Sequence, residues 1–335
     1  MSRLQKSKQL IFVIGILISI IAVVISLKGI DWAGIPDAFA RASWLPLLLL
    51  IPQFYLMYIV RAWRWRQLLP AANFKQSFDA TMLGFFASLI LPLRAGEFIR
   101  PWVLSNWTKI PMLKCFASIV VERVFDVLAL MVILSISLSS VDLPENLALI
   151  VTGAKALMLI AGLISVLMLV AYLSPKWIES LVNLSCQIFL DKKFPQLSVK
   201  VKKLSSDFME GLKVINSFSA FFKVVFSSLL LWILMSFYYQ IAIWAFDPKA
   251  SILVGFTVNS IIALAVAAPS APGFIGTFQL GCLIAHKNII GYSQELAIAF
   301  SVIVHLSQYL FTLLHGFYIL KSQGLKLSQL NKSVD

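Results

Sequence analysis

The chain has 335 residues, 60% hydrophobic and 13% charged, against roughly 45–50% apolar and about 25% charged in ordinary soluble domains. A soluble fold of this length cannot hide that much apolar surface, and the apolar stretches recur along the whole sequence. It therefore reads as a single all-α polytopic integral membrane domain over 1–335, with no soluble catalytic domain; a secreted enzyme, a nucleic-acid-binding domain, a disordered adaptor and a coiled coil are excluded.

The formal charge of +13 comes from Lys and Arg in short segments between apolar runs. That is the pattern of positive-inside topology; attraction to anionic headgroups, worth about 1 kcal/mol per surface cation, is its second consequence. Cys115, Cys186 and Cys282 are far apart without metal-ligand spacing and read as packing residues. No metal or cofactor is expected.

A helix needs about 20 apolar residues to span a bilayer. In chain order, Leu10 to Leu27 follows Arg3, Lys6 and Lys8 and has no cleavage site after it, so it reads as a first span with a cytoplasmic N-terminus. Asp31 to Arg41 is amphipathic, and with Trp32 and Trp44 it suits the outer interface. Trp44 to Val60 returns, and Arg61, Trp63, Arg64, Trp65 and Arg66 mark its cytoplasmic end. Val124 to Leu138 and Ile150 to Leu173 run out and back.

Residues 174–223 form a Lys-rich cytoplasmic loop, in which Leu197, Val201, Leu204, Phe208, Leu212 and Ile215 share one face of a surface helix. Val224 to Phe246 crosses outward, and Leu296 to Leu320 brings the C-terminus to the cytoplasm. About six full spans in an inner membrane, both termini cytoplasmic, are expected.

Two apolar stretches do not fit full spans. Ala80 to Leu91 covers only about 18 Å before Pro92. Ser251 to Ala268 runs into Pro269, Ser270, Ala271, Pro272, Gly273 and Gly276. Both read as broken or re-entrant helices, which are tolerated at membrane depth only where protein or a wet cavity satisfies the freed backbone. Trp44 corresponds to Val224 and Pro92 to Pro269 at nearly equal spacing, while the first run enters the cytoplasm and the second leaves it. This hydropathic spacing suggests an inverted repeat around a central site.

The densest polar cluster is the loop Arg94, Ala95, Gly96, Glu97, Phe98, Ile99, Arg100. Gly96 permits a tight turn, and the Arg94 and Arg100 guanidiniums offer forked donors suited to phosphate. Glu122 and Asp126, four residues apart, share a helix face, with Arg123 projecting about 100° away. The two carboxylates could form a proton relay, hold a cation, or pair with Arg94 and Arg100. In the second half, a helix starting near Gly273 or Gly276 would offer free N–H groups to an anion, with Ser270 and Thr277 as extra donors; close packing through small residues is the simpler account. His305, within the last apolar run, reads as a hydrogen-bonded interior residue rather than a proton carrier. No Walker loop, GxSxG elbow or dinucleotide fingerprint is present.

The strings RAWRWRQLL, LPLRAGEFIRP, VVERVFDVLAL and APSAPGFIGTFQLG, in that order, resemble the flippase-like membrane domain family, the transmembrane portion of lysylphosphatidylglycerol synthases and their stand-alone relatives. The resemblance implies lipid translocation or an accessory role, not synthesis. It carries the family's polar site onto Arg94, Glu97, Arg100, Glu122, Arg123 and Asp126. Gln279 stands where an acidic residue often follows the glycines in that family, which puts in doubt any role needing a charge there. The expected function is movement of a phospholipid or lipid-linked anionic headgroup; the alternative is a membrane-embedded transferase or a non-catalytic subunit of a lipid- or glycan-modifying enzyme. Expected partners are anionic phospholipid and a separate lipid-modifying enzyme, with no nucleic acid.

Overall fold

The computed structural model describes residues 3–91, 94–138, 175–191, 194–212, 218–325 and 327–332, with isolated positions at 152, 159, 162, 163 and 166. Within them every regular element is helical. The run Ile150 to Leu173 lies almost wholly outside the described residues.

Helix α1 is Arg3–Leu27. A short 3-10 turn, Trp32–Gly34, and α2, Ile35–Ala40, follow it at a bend of 85° between Phe12–Leu27 and Trp32–Ala40. A helix turned that sharply from a span suits an interface. The corner is held by Asp31, whose carboxylate caps the turn at Ala33 N (3.0 Å), and by Gln294, whose amide donates to the carbonyls of Ser26 (3.0 Å) and Lys28 (3.1 Å).

Four helices then follow: α3, Trp44–Leu68; α4, Phe74–Ile90; α5, Gly96–Thr108; and α6, Met112–Leu138. The same order recurs later as α9, Phe218–Trp244; α10, Ile252–Ala267; α11, Thr277–Leu283, continued by a π-helical turn Ile284–Ile290; and α12, Gln294–Ser322. Each set is a long helix, two short helices folded back across a break, and a long helix. Between the sets lie α7, Pro175–Phe189, and α8, Pro195–Leu212; α13, Leu327–Lys332, follows the second.

Packing between the sets is reciprocal. Helix α3 lies against α9, α4 against α12, and α10 against α6. Gln53 donates to the Leu234 carbonyl (2.7 Å) and Arg64 to Ser228 Oγ (3.0 Å), so α3 and α9 run antiparallel. Because lipid tails are as apolar as the side chains, close contact and hydrogen bonding hold such helices together. The α4–α5 turn shows how: a Cβ on Gly96 would stand 1.8 Å from the Gly84 carbonyl oxygen. Only two glycines let these helices meet at that distance.

The structure departs from the sequence expectation in four respects. Among the described residues three helices are long and apolar enough to cross a membrane, Trp44–Leu68, Ser219–Trp244 and Gln294–Ser322, or four if the bent N-terminal pair is one span; the expected six are not all accounted for. Helix α4 begins at Phe74, ahead of Ala80, because Asn73 and Gln76 form a reciprocal capping box. Residues from Gly96 onward are helix, not loop, and the left-handed residue of the break is Arg94 (φ 53°), so Gly96 is needed for close approach and not for turning. Among its described residues the 174–223 segment holds α7, α8 and the start of α9, with α8 resting on α6 and joined to α7 at Asp191, which accepts from Ser198 and from Lys202 Nζ (3.0 Å). Leu197 of its proposed stripe is exposed and Val201 half-buried, whereas the side chains of Leu204, Phe208, Leu212 and Ile215 lie outside what is described. Helix α7 exposes Trp177, Leu181, Leu184 and Ile188 along one face.

Candidate functional site

The tips of the two folded-back pairs meet. Arg94, in the break between α4 and α5, donates to the carbonyl of Val266 near the end of α10, and its guanidinium lies 5.3 Å from the centre of the Phe274 ring. A cation at a helix C-terminus neutralises carbonyls that have no partner in their own helix. Around this junction lies a cavity of about 450 Å³. Its lining includes the charged residues Arg61, Arg94, Glu97, Arg100, Arg123 and Asp126 and the apolar residues Leu89, Val127, Leu130, Ala263 and Val266.

Behind the cavity is a buried ion network. Arg64 has no exposed surface. Its Nη1 and Nη2 donate to the two oxygens of Asp126 (2.5 and 3.3 Å), its Nε to Glu122 (3.3 Å). Arg100 takes the other side of Glu122 (2.6 and 3.4 Å) and stacks 3.9 Å above Trp65, whose indole N–H is tied to Ser118 (2.8 Å). The Trp232 indole N–H donates to Asp126 (3.2 Å). At the rim, Arg123 reaches Glu97 (3.2 Å) and Asp126 (3.5 Å). Forked guanidiniums matched to carboxylates meet the geometric demand that makes buried pairs tolerable.

The structure thus gathers Arg94, Glu97, Arg100, Arg123, Asp126 and Gly273 around one cavity, with Glu122 directly behind them. The shared face of Glu122 and Asp126 is turned to Arg64 and Arg100, not to Arg94. Glu97 pairs with Arg123 rather than with its neighbour Arg94.

The second set of residues is engaged elsewhere. Thr277 Oγ1 donates to the Phe274 carbonyl (3.1 Å). Gln279 accepts from Gly276 N (2.8 Å) and contacts His305 Nδ1 (3.0 Å), while His305 Nε2 meets the Gly273 carbonyl (2.9 Å). These bonds brace the break; of the residues that make them, Gly273, Phe274 and His305 line the cavity, while Thr277, Gln279 and Gly276 do not. Ser270 and Gly276 are backed by α1: Ser19 accepts from Ala271 N (2.8 Å), a Cβ on Gly15 would stand 3.0 Å from the Ser270 carbonyl oxygen, and a Cβ on Gly276 would stand 2.3 Å from that of Ser19.

Two arginines read from sequence as topology markers belong to the site. Arg61 lines the cavity, 4.9 Å from the Phe85 ring centre and 3.7 Å from Met235 Sδ, and Arg64 anchors the network. The signal that reveals them is phase. Phe54, Met57, Tyr58, Arg61, Arg64, Trp65 and Leu68 continue one inward stripe of α3, whereas Arg66 is exposed.

Among known proteins, the family described as the lysylphosphatidylglycerol synthase TM region matches residues 12–316. The chain is also similar to a protein named glycosyltransferase AglD from Haloferax volcanii, 23% identical over 343 aligned positions covering 92% of this chain and 54% of that protein, so it spans about half the length of that relative. No solved structure matches it.

Proposed function

We propose, because the chain belongs to the lysylphosphatidylglycerol synthase transmembrane-region family, that this multi-pass membrane protein moves a phospholipid or lipid-linked anionic headgroup between leaflets. One observation carries the reading: a cavity lined by both charged and apolar side chains lies where two helix breaks meet. A headgroup would lie against the charged residues while its acyl chains stay along Leu89, Val127 and Leu130 and in the surrounding lipid. The duplicated helix order and the antiparallel α3–α9 pair support an inverted repeat, the architecture in which one set of helices rocks against the other about a fixed site. On positive-inside grounds the Lys-rich 174–223 segment and both termini face the cytoplasm, and the membrane is the inner one.

A second reading, a membrane-embedded transferase or the non-catalytic partner of one, is favoured by the likeness to a longer protein named as a glycosyltransferase. Reconstitution separates the two. Purified protein in vesicles carrying acyl-labelled lipid should expose inner-leaflet label to a membrane-impermeant quencher without any new species appearing by mass spectrometry. A new lipid species would support the transferase, and unchanged label in both leaflets with no product would refute translocation.

A further inference from the structure

We infer that Arg61 and Arg94 form the anion seat of the cavity, and that the headgroup it accepts is a phosphate with an uncharged remainder, while the same lipid carrying an added ammonium is refused. The inference rests on the lipid-translocation reading and adds to it the substrate's charge class and a residue, Arg61, outside the polar site drawn from sequence.

Charge bookkeeping leads to it. Five guanidiniums, Arg61, Arg64, Arg94, Arg100 and Arg123, surround three carboxylates, Glu97, Glu122 and Asp126. All three carboxylates are taken: Glu122 by Arg64 and Arg100, Asp126 by Arg64, and Glu97 by Arg123. Among the described residues, neither Arg61 nor Arg94 has a carboxylate within ion-pair distance. Each instead rests against an aromatic ring, Phe85 or Phe274, and each commits one Nη2 to a neutral acceptor, Arg61 to Met235 Sδ at 3.7 Å and Arg94 to the Val266 carbonyl, with the rest of the guanidinium unpaired by any carboxylate. Unpaired cations at membrane depth are costly and mark ligand sites.

The remaining donors of the cavity agree. Among the described residues, Arg100 Nε, the guanidinium nitrogen not directed at Glu122, and the Tyr309 hydroxyl are buried donors with no protein partner, and both residues line it. Asn259, Gln308 and Thr312 add uncharged polar side chains to the lining, with the Asn259 amide nitrogen engaged by the Trp232 carbonyl and Ser236 Oγ, Thr312 by Tyr58 and Gln308 by Tyr239. Such a wall can receive a phosphate together with hydroxyls of glycerol or sugar. It offers an ammonium no unpaired carboxylate and two unpaired like charges, and repulsion of that kind excludes a ligand as effectively as attraction selects one.

The test uses the full-length protein in phosphatidylcholine vesicles with acyl-labelled phosphatidylglycerol or acyl-labelled lysylphosphatidylglycerol, read by leaflet quenching. Phosphatidylglycerol should move at least tenfold faster, and Arg61→Gln and Arg94→Gln should each slow it at least tenfold while remaining monodisperse. Equal rates for the two lipids, or an unimpaired Arg61→Gln, would overturn the anion seat and leave lipid movement standing. A second measurement is independent of transport: glycerol 3-phosphate should raise the unfolding temperature of the detergent-solubilised wild type but not of Arg61→Gln. If neither lipid moves, protection confined to the wild type would support a seat for a soluble phosphate in place of a lipid, and absence of protection would refute the seat itself.

Discussion

Replacing Arg64 by Met should unfold the protein without touching the cavity's free cations. The methionine fills much of the arginine volume but leaves Asp126 with only the Trp232 indole N–H at 3.2 Å and the rim Arg123 at 3.5 Å, and Glu122 with Arg100 alone. Removing one partner of a buried pair costs about 3–5 kcal/mol, because the other charge stays behind in low dielectric. Asp126 loses both of its short Arg64 contacts, so the upper part of that range applies. At 1.4 kcal/mol per tenfold, the folded-to-unfolded ratio should fall by about three to three and a half decades under matched denaturing conditions. Unfolding in detergent, followed by loss of the monodisperse peak with temperature, reads this directly. Asp126→Asn in the same chain removes the stranded charge, keeps an acceptor for Trp232, and should recover most of the loss. Wild-type stability in Arg64→Met, or no recovery in the double variant, would refute the reading of this network as a structural ion cluster.

Three further outcomes are expected. Gly96→Ala should abolish recovery of folded protein, since its Cβ would stand 1.8 Å from a backbone oxygen of α4 that cannot move aside, whereas Phe98→Ala on the exposed side of the same helix should purify normally; size-exclusion profiles check both. Ser19→Leu should lift α1 from the second break by removing the acceptor of Ala271 N and adding bulk beside Ala271, so that a cysteine at Ala271 becomes faster to label than in an otherwise unaltered chain. Asp191 is held below the usual carboxylate range by its hydrogen bond from Ser198 and then by Lys202, so its tie between α7 and α8 should persist through that range and be lost only as pH falls below it, through the depressed value of the folded state; Asp191→Asn should make proteolysis between α7 and α8 independent of pH over the acid range.

Both helix breaks were legible because Pro and Gly interrupt strongly apolar runs at Pro92 and from Pro269 onward, and nothing else at that depth produces the pattern. The common face of Glu122 and Asp126 followed from helical spacing alone. What periodicity could not supply was the partner: Arg64 stands between Trp63 and Trp65 at the end of an apolar run, where a boundary signal and a buried anchor look the same. Only the inward stripe it shares with Phe54 and Met57 tells them apart. Gly96 misled for a related reason, since a missing Cβ serves both a turn and a close contact, and a contact with Gly84 depends on two helices folding back together. The cover that α1 gives the second break depends on contacts between residues more than 250 positions apart and leaves no local trace.

Glu122 accepts from arginines on two different helices, Arg64 of α3 and Arg100 of α5. Its four-membered cluster with Asp126 therefore has no neutral single step away from its present composition. Loss of any one arginine strands a negative charge, and loss of either carboxylate strands a positive one, so effects at these positions will depart from additivity by an amount typical of residues in one network, about 0.5–3 kcal/mol. Drift at these sites has to proceed by paired replacement. Related chains that abandon the arginine at position 64 should be found to have changed the residue at position 122 or 126 as well, and a library that varies one position at a time will score all four as immutable when it is the combination that is under constraint.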